Sequence, residues 1–463
     1  MSREVGRRLA SLSALALFVA VLTGCSGSKQ PFRIGVIADC VGINRPLHNV
    51  ELSGAELPLL QRGAHLQGDL AADGISSTEI AGRTVELVPG CTEIYEFSTL
   101  TTEVRRLIER EHVDAIVAAS GGADEVVLRE VARRYPKVVF LPVVHGPREV
   151  TLHNPPTNLF RVVGDHGQGV AGLATYAYRE LGWRRAAVVL ANWDTGWGER
   201  DAFVAEFCSL GGRIESQLAL DPPFDPAGRD VADVPMGVDG VAVFAPQFFG
   251  PAGFLQRLAA RNENPAQHIV VGPSIADDPT LLGSTRGALT GVVGSSFADT
   301  ARMNAYLATY AQAFPGTPTG VAGGELVTGY RDAVEALVTA LEKAERSSAR
   351  REGGRVVGPL FRGSAPVYGT QATLRPFPFP AALASLDLDL LGGPVRLDDH
   401  RQAVVSTSLV RIEPPGTGEP GTAHVRTIGD VDQSVGGLLP PSSRPSANPA
   451  KCRSGQRPPP WAD

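Results

Sequence analysis

The sequence predicts an α/β protein of two lobes, each with a doubly wound parallel sheet. From Phe32 onward, apolar runs of strand length alternate with segments of helical periodicity, as at residues 34–38 and 114–119. Residues 154–158 interrupt this alternation, and a second series of the same kind begins at Leu159. Because a chain of 463 residues is too long for one core, two lobes fit its length.

The first series predicts four strands separated by helices. The strands are expected at 33–38, 83–88, 114–119 and 137–144, and the helices at 58–73, before Glu111, and from Asp124 to Arg134. Val104, Leu107 and Ile108 share one face of the second helix. The run at 114–119 is continuously apolar, which is typical of a parallel strand covered on both faces.

The second series repeats this arrangement up to residue 272. Its strands are expected at 159–163, 186–191, 213–220, 240–244 and 268–272, and its helices at 169–181, 200–210 and 252–261. Two further helices follow residue 296, the later one with a buried stripe of Tyr330, Val334, Leu337, Val338 and Leu341. Residues 347–370 are predicted to form a loop and 414–463 a disordered tail, since Gly, Pro and Ser dominate both.

The amino terminus has the pattern of an export signal. Three arginines precede an apolar run at 9–22 that is too short to span a bilayer. Leu22-Thr23-Gly24-Cys25 resembles the lipobox of bacterial lipoproteins, which implies cleavage after residue 24, acylation of Cys25 and a tether at 25–31. The alternative is an ordinary signal peptide beside an incidental cysteine. We expect a lipid anchor on the outer side of the membrane.

The chain has four other cysteines, and an exported protein reaches an oxidising compartment in which disulfides persist. Cys40 and Cys91 follow two strands that we expect to be parallel neighbours, so we predict a disulfide between them. Cys208 lies on an apolar helical face and is expected to be a buried thiol, while the pairing of Cys452 stays open.

Composition and motifs exclude several classes of function. A net charge of -6 argues against a nucleic-acid partner, and GxxxxGK[ST], HExxH, CxxC and GxSxG are absent. Residues 167–172 fit GxGxxG, but three residues separate this match from the preceding strand, which favours a close-packed helix start over a dinucleotide site. His145, His153 and His166 lack the spacing of a zinc site. We therefore expect neither a cofactor nor a metal.

Two segments predict where a ligand binds. Ser120-Gly121-Gly122 lies between the carboxyl end of a strand and the amino end of a helix, where free N–H groups and the helix dipole attract ligands. A tight turn without a ligand is the alternative. Trp193 and Trp197 follow the strand at 186–191 in a glycine-containing loop, where they can form an apolar wall. We expect Trp197 to face the cleft, although one tryptophan can instead pack beneath the loop.

The order of these segments resembles the leucine/isoleucine/valine-binding protein family, the extracellular solute receptors of ABC importers. The matching stretches are 33–37, 62–66, 81–88, 113–117, 158–161, 196–198, 329–334 and 393–398. The resemblance implies two Rossmann-like lobes joined by three crossovers, with a ligand cleft between them that closes by hinge motion. It divides the chain into a first lobe of 32–157 plus 297–373 and a second lobe of 158–296 plus 374–413.

The resemblance also implies the site residues. Ser120, Gly121 and Gly122 would hold a ligand carboxylate, with His145 and Gly146 in the second contact loop of the first lobe. Trp197 stands where the family has a tyrosine that covers the ligand. The family's acidic residue for an ammonium group is replaced by Pro273-Ser274, for which Asp277 or Asp278 would have to substitute. A neutral or anionic ligand is therefore as compatible with the sequence as an amino acid.

The function implied is capture of a small polar metabolite for an ABC permease, without catalysis and as a monomer. A ligand-sensing receptor of a signalling system would have the same fold and is the first alternative. An enzyme is the second, and it would need Ser120 and His145 as nucleophile and base within hydrogen-bonding reach.

Overall fold

The computed structural model describes residues 30–42, 44–93, 96–118, 123–221, 223–246, 249–297, 299–317, 322–353, 379–414, 424–431, 448–453, 455 and 457–462. The predicted lipidation residue Cys25 and the predicted carboxylate contacts Ser120, Gly121 and Gly122 lie outside the described residues. Within the described ranges, no helix combines the length and apolar character that crossing a membrane requires.

The first lobe is a sheet with helices on both faces. Its first elements are β1 (Phe32–Asp39), α1 (His48–Leu60), β2 (Thr78–Ile80), β3 (Arg83–Thr92), α2 (Phe97–Glu109), β4 (Ala115–Ala118), α3 (Ala123–Arg134), β5 (Val139–Pro142) and α4 (Glu149–Leu152). The strand order is β2-β3-β1-β4-β5, and only the β2–β3 pair among these is antiparallel. Ile34 and Val36 pack on the α1 side of β1, whereas Ile37 packs on the α2 side, which explains the unbroken apolar pattern.

The first predicted helix is wrong in position. We expect it at 58–73, but α1 ends at Leu60, and Gly63 then adopts a φ of +95° that a helix cannot continue. Val50 to Leu59 are all buried, because both β1 and the helix at Glu325–Gly353 pack against α1. A helix that is buried all round carries no apolar stripe in its sequence.

The second lobe repeats the alternation. Its elements are α5 (Leu173–Arg179), β6 (Arg185–Ala191), α6 (Asp194–Ser209), β7 (Arg213–Leu220), β8 (Gly240–Phe244), α7 (Ala252–Ala260), α8 (Pro265–His268), β9 (Ile269–Val271), α9 (Pro273–Ala276), α10 (Pro279–Ser284) and β10 (Val293–Ser296). The parallel part of its sheet has the order β10-β9-β8-β6-β7. The predicted second series of strands is confirmed at 186–191, 213–220 and 240–244.

The chain then returns to the first lobe and crosses back once more. It forms α11 (Thr300–Ala313), α12 (Glu325–Gly353), α13 (Phe379–Ala384), β11 (Asp387–Leu390), β12 (Gly393–Leu397), β13 (Ala403–Val404), β14 (Thr407–Glu413) and β15 (His424–Val431). The stripe predicted from Tyr330 to Leu341 is buried against α1 and β1. The three crossovers lie near residues 159–165, 297–299 and 404–407.

The third crossover is later than the expected division of the chain. We expect the second lobe to resume at 374, yet Leu386, Leu388, Leu390 and Val395 pack into the cluster around β1. The sheet β11-β12-β13 therefore belongs with the first lobe, because its alternating leucines face that core. After β10, the chain pairs with the second sheet again only from β14 onward.

Part of the predicted disordered tail is ordered on the second lobe. β15 pairs antiparallel with β14 and extends the sheet to β15-β14-β10-β9-β8-β6-β7. Farther along, Ala450 exchanges two hydrogen bonds with the Gln217 side chain, at 2.7 and 2.9 Å. The Trp461 ring packs beside α6, and its Nε1 donates to Glu206 Oε1 at 3.4 Å. The expectation of disorder is wrong for these residues.

Two disulfides are present among the described residues. Cys40 and Cys91 are joined at the ends of β1 and β3, as expected, with Cα atoms 5.3 Å apart. Cys208 is joined to Cys452, 244 positions away, with Cα atoms 5.4 Å apart. The expectation that Cys208 is a free buried thiol is therefore wrong, because the tail returns its partner to the end of α6.

Candidate functional site

The candidate site lies where the carboxyl ends of the two parallel sheets meet. In such sheets these ends present loops and helix amino ends to a ligand. The loop after β5 reaches the first crossover, since Gly146 and Asp165 form a β-bridge and the His166 N–H donates to the Gly146 carbonyl at 3.3 Å. A Cβ atom on Gly198, in the first turns of α6, would lie 2.7 Å from His166 Cβ. The first lobe, the crossover and the second lobe therefore converge here.

His145 and Phe297 form the aromatic contact of this region. Their rings stack face to face, with centroids 3.5 Å apart and planes 7° apart. His145 follows β5 of the first lobe, and Phe297 follows β10 at the second crossover. Side chains at Gly164 or Gly169 would collide with the Phe297 ring, so these glycines make its position possible. Phe297 is not among the residues predicted from the sequence, although its place directly after a strand is the signal that could have found it.

Gly146 is held close to a buried ion pair. A side chain at this position would collide with Glu125 and Arg161, so only glycine lets the loop lie there. Glu125 of α3 and Arg161 of the first crossover are both fully buried. Arg161 Nε donates to Glu125 Oε1 at 2.8 Å, and its Nη2 donates to the Pro147 carbonyl at 3.1 Å.

Gln402 extends this pair to the third crossover. Arg161 Nη1 donates to Gln402 Oε1 at 2.9 Å, and Gln402 Nε2 donates to the Val163 carbonyl at 2.9 Å. Burial raises the pKa of Glu125 to about 7, and the Arg161 charge opposes the rise. The Asp194 charge at the start of α6 raises the pKa of Glu125 further, so the second lobe also acts on this carboxyl.

Trp193 and Trp197 do not share the loop in which we expect both of them. α6 begins at Asp194, six residues before the predicted start, so Trp197 lies in its first turn. Trp197 packs on the α5 side of the sheet and its Nε1 donates to Asn192 Oδ1 at 3.0 Å. Trp193 packs on the opposite side, 5.8 Å from the Phe249 ring and edge-on to it. The two rings are thus divided between the faces of one sheet.

Ser274 and Asp277 both engage other parts of the protein. Ser274 Oγ donates to Glu199 Oε2 at 2.9 Å, and its N–H donates to Glu199 Oε1 at 3.3 Å. Asp277 Oδ2 accepts from the Phe297 N–H at 3.1 Å. Asp278 caps α10 by accepting from the Leu281 N–H at 2.8 Å. The two carboxylates considered as ammonium partners therefore have roles within the fold.

The end of β1 carries a second buried carboxyl. Glu51 Oε2 accepts from the Asp39 N–H at 2.8 Å, and Asn44 Nδ2 donates to Asp39 Oδ2 at 2.9 Å. Burial, followed by the Asp39 charge, raises the pKa of Glu51 to about 8. Among the described residues, no group of three or more His, Cys, Asp or Glu side chains could hold a metal ion.

Similarity to known proteins shows the family to which this chain belongs. The profile of the family described as periplasmic binding protein matches residues 32–418. The chain belongs to the periplasmic binding protein family. The resemblance to the leucine/isoleucine/valine-binding proteins is thereby confirmed at the level of the family. No curated protein sequence matches the chain.

Solved structures share the fold of this periplasmic binding protein. An ABC transporter substrate-binding protein from Sphaerobacter thermophilus superimposes with a TM-score of 0.67 at 19% identity, covering 89% of this chain and 100% of that one. A solute binding protein of an ABC transporter from R. palustris, in complex with benzoate, gives 0.62 at 17%, covering 88% and 98%. A leucine binding protein from Thermotoga maritima gives 0.62 at 16%, covering 87% and 99%. At these identities the likeness establishes the fold.

Two sets of contacts connect some of the predicted site residues of this periplasmic binding protein to their neighbours. His145 and Asp277 both contact Phe297, the first through its ring and the second through its N–H. Ser274 instead contacts Glu199 of α6, the helix that also holds Trp197. Glu199, Glu125 and Arg161 were missed because their neighbours come from distant segments.

We predict that Arg161→Leu destabilises the protein by about 3–5 kcal/mol in urea unfolding, because it leaves the Glu125 carboxyl buried without its cation. Replacing both partners, Glu125→Leu with Arg161→Leu, should recover most of this loss. The control is Arg302→Leu, which removes an exposed pair with Asp389 and should cost less than about 1 kcal/mol. A loss below 1 kcal/mol for Arg161→Leu would contradict the structural role given to the pair.

We predict that Glu51→Gln makes stability less dependent on pH. The folded-state pKa of Glu51 is raised from 4.5 to about 8, so between these values the folded protein keeps a proton that the unfolded chain loses. Stability from this group therefore falls as pH rises through that window, by at most about 1.4 kcal/mol per pH unit. Urea unfolding at pH 5 to 8 should show a shallower decline for Glu51→Gln than for the exposed Glu180→Gln, and equal slopes would refute the prediction.

Proposed function

We propose that this protein captures a small solute outside the cytoplasm and delivers it to the permease of an ABC importer. The proposal rests on the arrangement of two parallel sheets, whose carboxyl ends meet across three crossovers. The chain that forms them matches the periplasmic binding protein family over residues 32–418. Two lobes on such crossovers can close around a ligand by hinge motion. The protein acts as a monomer and without chemistry on its cargo.

The amino-terminal pattern supports a lipid anchor. Cleavage before Cys25 and acylation of its thiol would leave residues 26–31 as a short tether to the first strand. Such a tether keeps the binding protein near the permease that it serves.

We predict that the wild-type chain, expressed in a bacterium with lipoprotein processing, enters the membrane fraction with its mass increased by the acyl groups. Cys25→Ser should abolish both the acylation and the membrane association, whereas Ser26→Ala should keep them. If the wild-type protein is recovered without acyl groups, the lipid anchor is refuted. The proposal of solute binding does not depend on this result.

The residues at the second lobe favour a ligand without an ammonium group. The relatives show that this fold serves different solutes, since one is described with benzoate and another as a leucine binding protein. In this chain Ser274 stands at the position of the family acid and contacts Glu199, while Asp277 and Asp278 bind backbone N–H groups. A buried ammonium without a carboxylate partner costs several kcal/mol. An amino acid would have to share Glu199, Asp277 or Asp278 with the groups that these carboxylates already bind, whereas a neutral or anionic metabolite needs no such partner.

The proposed contacts come from both lobes. The N–H groups of Gly121 and Gly122, with the Ser120 hydroxyl, would hold a carboxylate or amide oxygen at the start of α3. His145 and Gly146 would contact the ligand from the loop after β5. Trp197, which is partly exposed in the first turn of α6, would contact it from the second lobe.

We predict that one class of solute raises the melting temperature in a screen of amino acids, amides, urea derivatives, aromatic acids and sugars. A ligand that binds only the folded state stabilises that state by about 2.7 kcal/mol when its concentration is 100 times its Kd. Trp197→Ala should weaken the hit about tenfold by calorimetry. Trp461→Ala, at the far end of α6, serves as the control. If no class of solute stabilises the protein, the proposed function is overturned, and unchanged affinity in Trp197→Ala would overturn the contact proposed for Trp197.

A further inference from the structure

The stacked pair of His145 and Phe297 has the properties of a binding surface. The two rings are parallel at 3.5 Å and both are partly exposed, so part of the stack is accessible to a solute. The pair also spans the two halves of the site, because His145 comes from the first lobe and Phe297 from the end of β10. A flat solute that continues the stack would pack on the outer face of one of these two rings.

The surroundings hold Phe297 in this orientation. Its N–H donates to Asp277 Oδ2, and the distal end of its ring fits over Gly164 and Gly169, where any side chain would collide with it. The ring is therefore positioned before a ligand arrives. A preorganised aromatic surface favours a flat partner, since parallel rings gain stacking energy that a puckered ring of the same size does not.

We propose that the ligand is a small planar aromatic molecule without an ammonium group, and that its ring stacks on the His145–Phe297 pair. The proposal rests on the proposed function, because it names the class of solute that the same cleft captures. His145 and Phe297 would then be specificity-determining residues that select flat rings over saturated ones.

Matched pairs of probes test this proposal on the purified full chain by calorimetry. Benzoate is compared with cyclohexanecarboxylate, and benzamide with cyclohexanecarboxamide, so that each pair differs in planarity and not in its polar group. We expect the aromatic member of at least one pair to bind about tenfold or more tightly than its saturated counterpart. Equal affinities, or tighter binding of the saturated members, would overturn the inference.

Variants separate a role in selection from a role in folding. Phe297→Leu keeps an apolar side chain and should reduce the aromatic-to-saturated affinity ratio about tenfold, whereas Phe297→Tyr should restore it. His145→Gln gives a second variant with the same expected loss of selectivity. Phe97→Ala, which removes an exposed phenylalanine at the start of α2, serves as the control. A ratio that stays unchanged in folded Phe297→Leu and His145→Gln would overturn the inference.

The remaining outcomes separate failure of the proposed aromatic ligand class from failure of solute capture itself. Leucine is included as a non-aromatic probe with an ammonium group. If leucine or a sugar stabilises the protein and none of the aromatic probes does, the inference fails and solute capture stands. If no probe of any class binds, both fail.

Discussion

The buried contact between Arg161 and Glu125 is the constraint on which the geometry of the cleft depends. Arg161 lies in the first crossover, and its guanidinium joins α3 of the first lobe to Gln402 before the third crossover. The backbones of these segments are also paired, since the Arg161 N–H donates to the Arg401 carbonyl and the Ala403 N–H to the Arg161 carbonyl. Because a buried charge is tolerated only with its partners in place, the network sets the positions of both crossovers relative to the first lobe.

Small residues then bring the loops of the two lobes together. Gly146 leaves room for the Glu125–Arg161 pair, and Gly164 and Gly169 leave room for the ring of Phe297. Within the second lobe, Gly196 lets the start of α6 lie against the end of β6, where a side chain would collide with the Ala191 carbonyl. These close approaches place aromatic and polar side chains from distant parts of the chain around one cleft.

The carboxyl groups near the cleft are used mainly by the protein itself. Glu199 accepts from Ser274, Asp277 accepts from Phe297, and Glu51 accepts from the Asp39 N–H. Such contacts shape the loops, and a cationic ligand would have to share these carboxyl groups with the donors that already bind them. The stacked rings of His145 and Phe297 instead offer an apolar surface, which connects the proposed capture of an uncharged or anionic solute with an aromatic ligand.

Local patterns in the sequence were enough to predict the alternation of strands and helices, the second series of the same kind and the buried stripe from Tyr330 to Leu341. These features are local, because burial on both faces makes a strand continuously apolar and burial on one face gives a helix a stripe. The Cys40–Cys91 disulfide was predictable for a related reason, since neighbouring parallel strands end at the same edge.

Features that depend on contacts between distant segments become visible only in the folded protein. α1 was misplaced because cover on all sides leaves no stripe, and β15 was missed because an edge strand with few buried residues resembles a polar tail. The pairing of Cys208 with Cys452 and the stack of His145 on Phe297 join residues far apart in the chain. No local pattern encodes such pairs, because the chain path between them, and not their neighbours in sequence, brings them into contact.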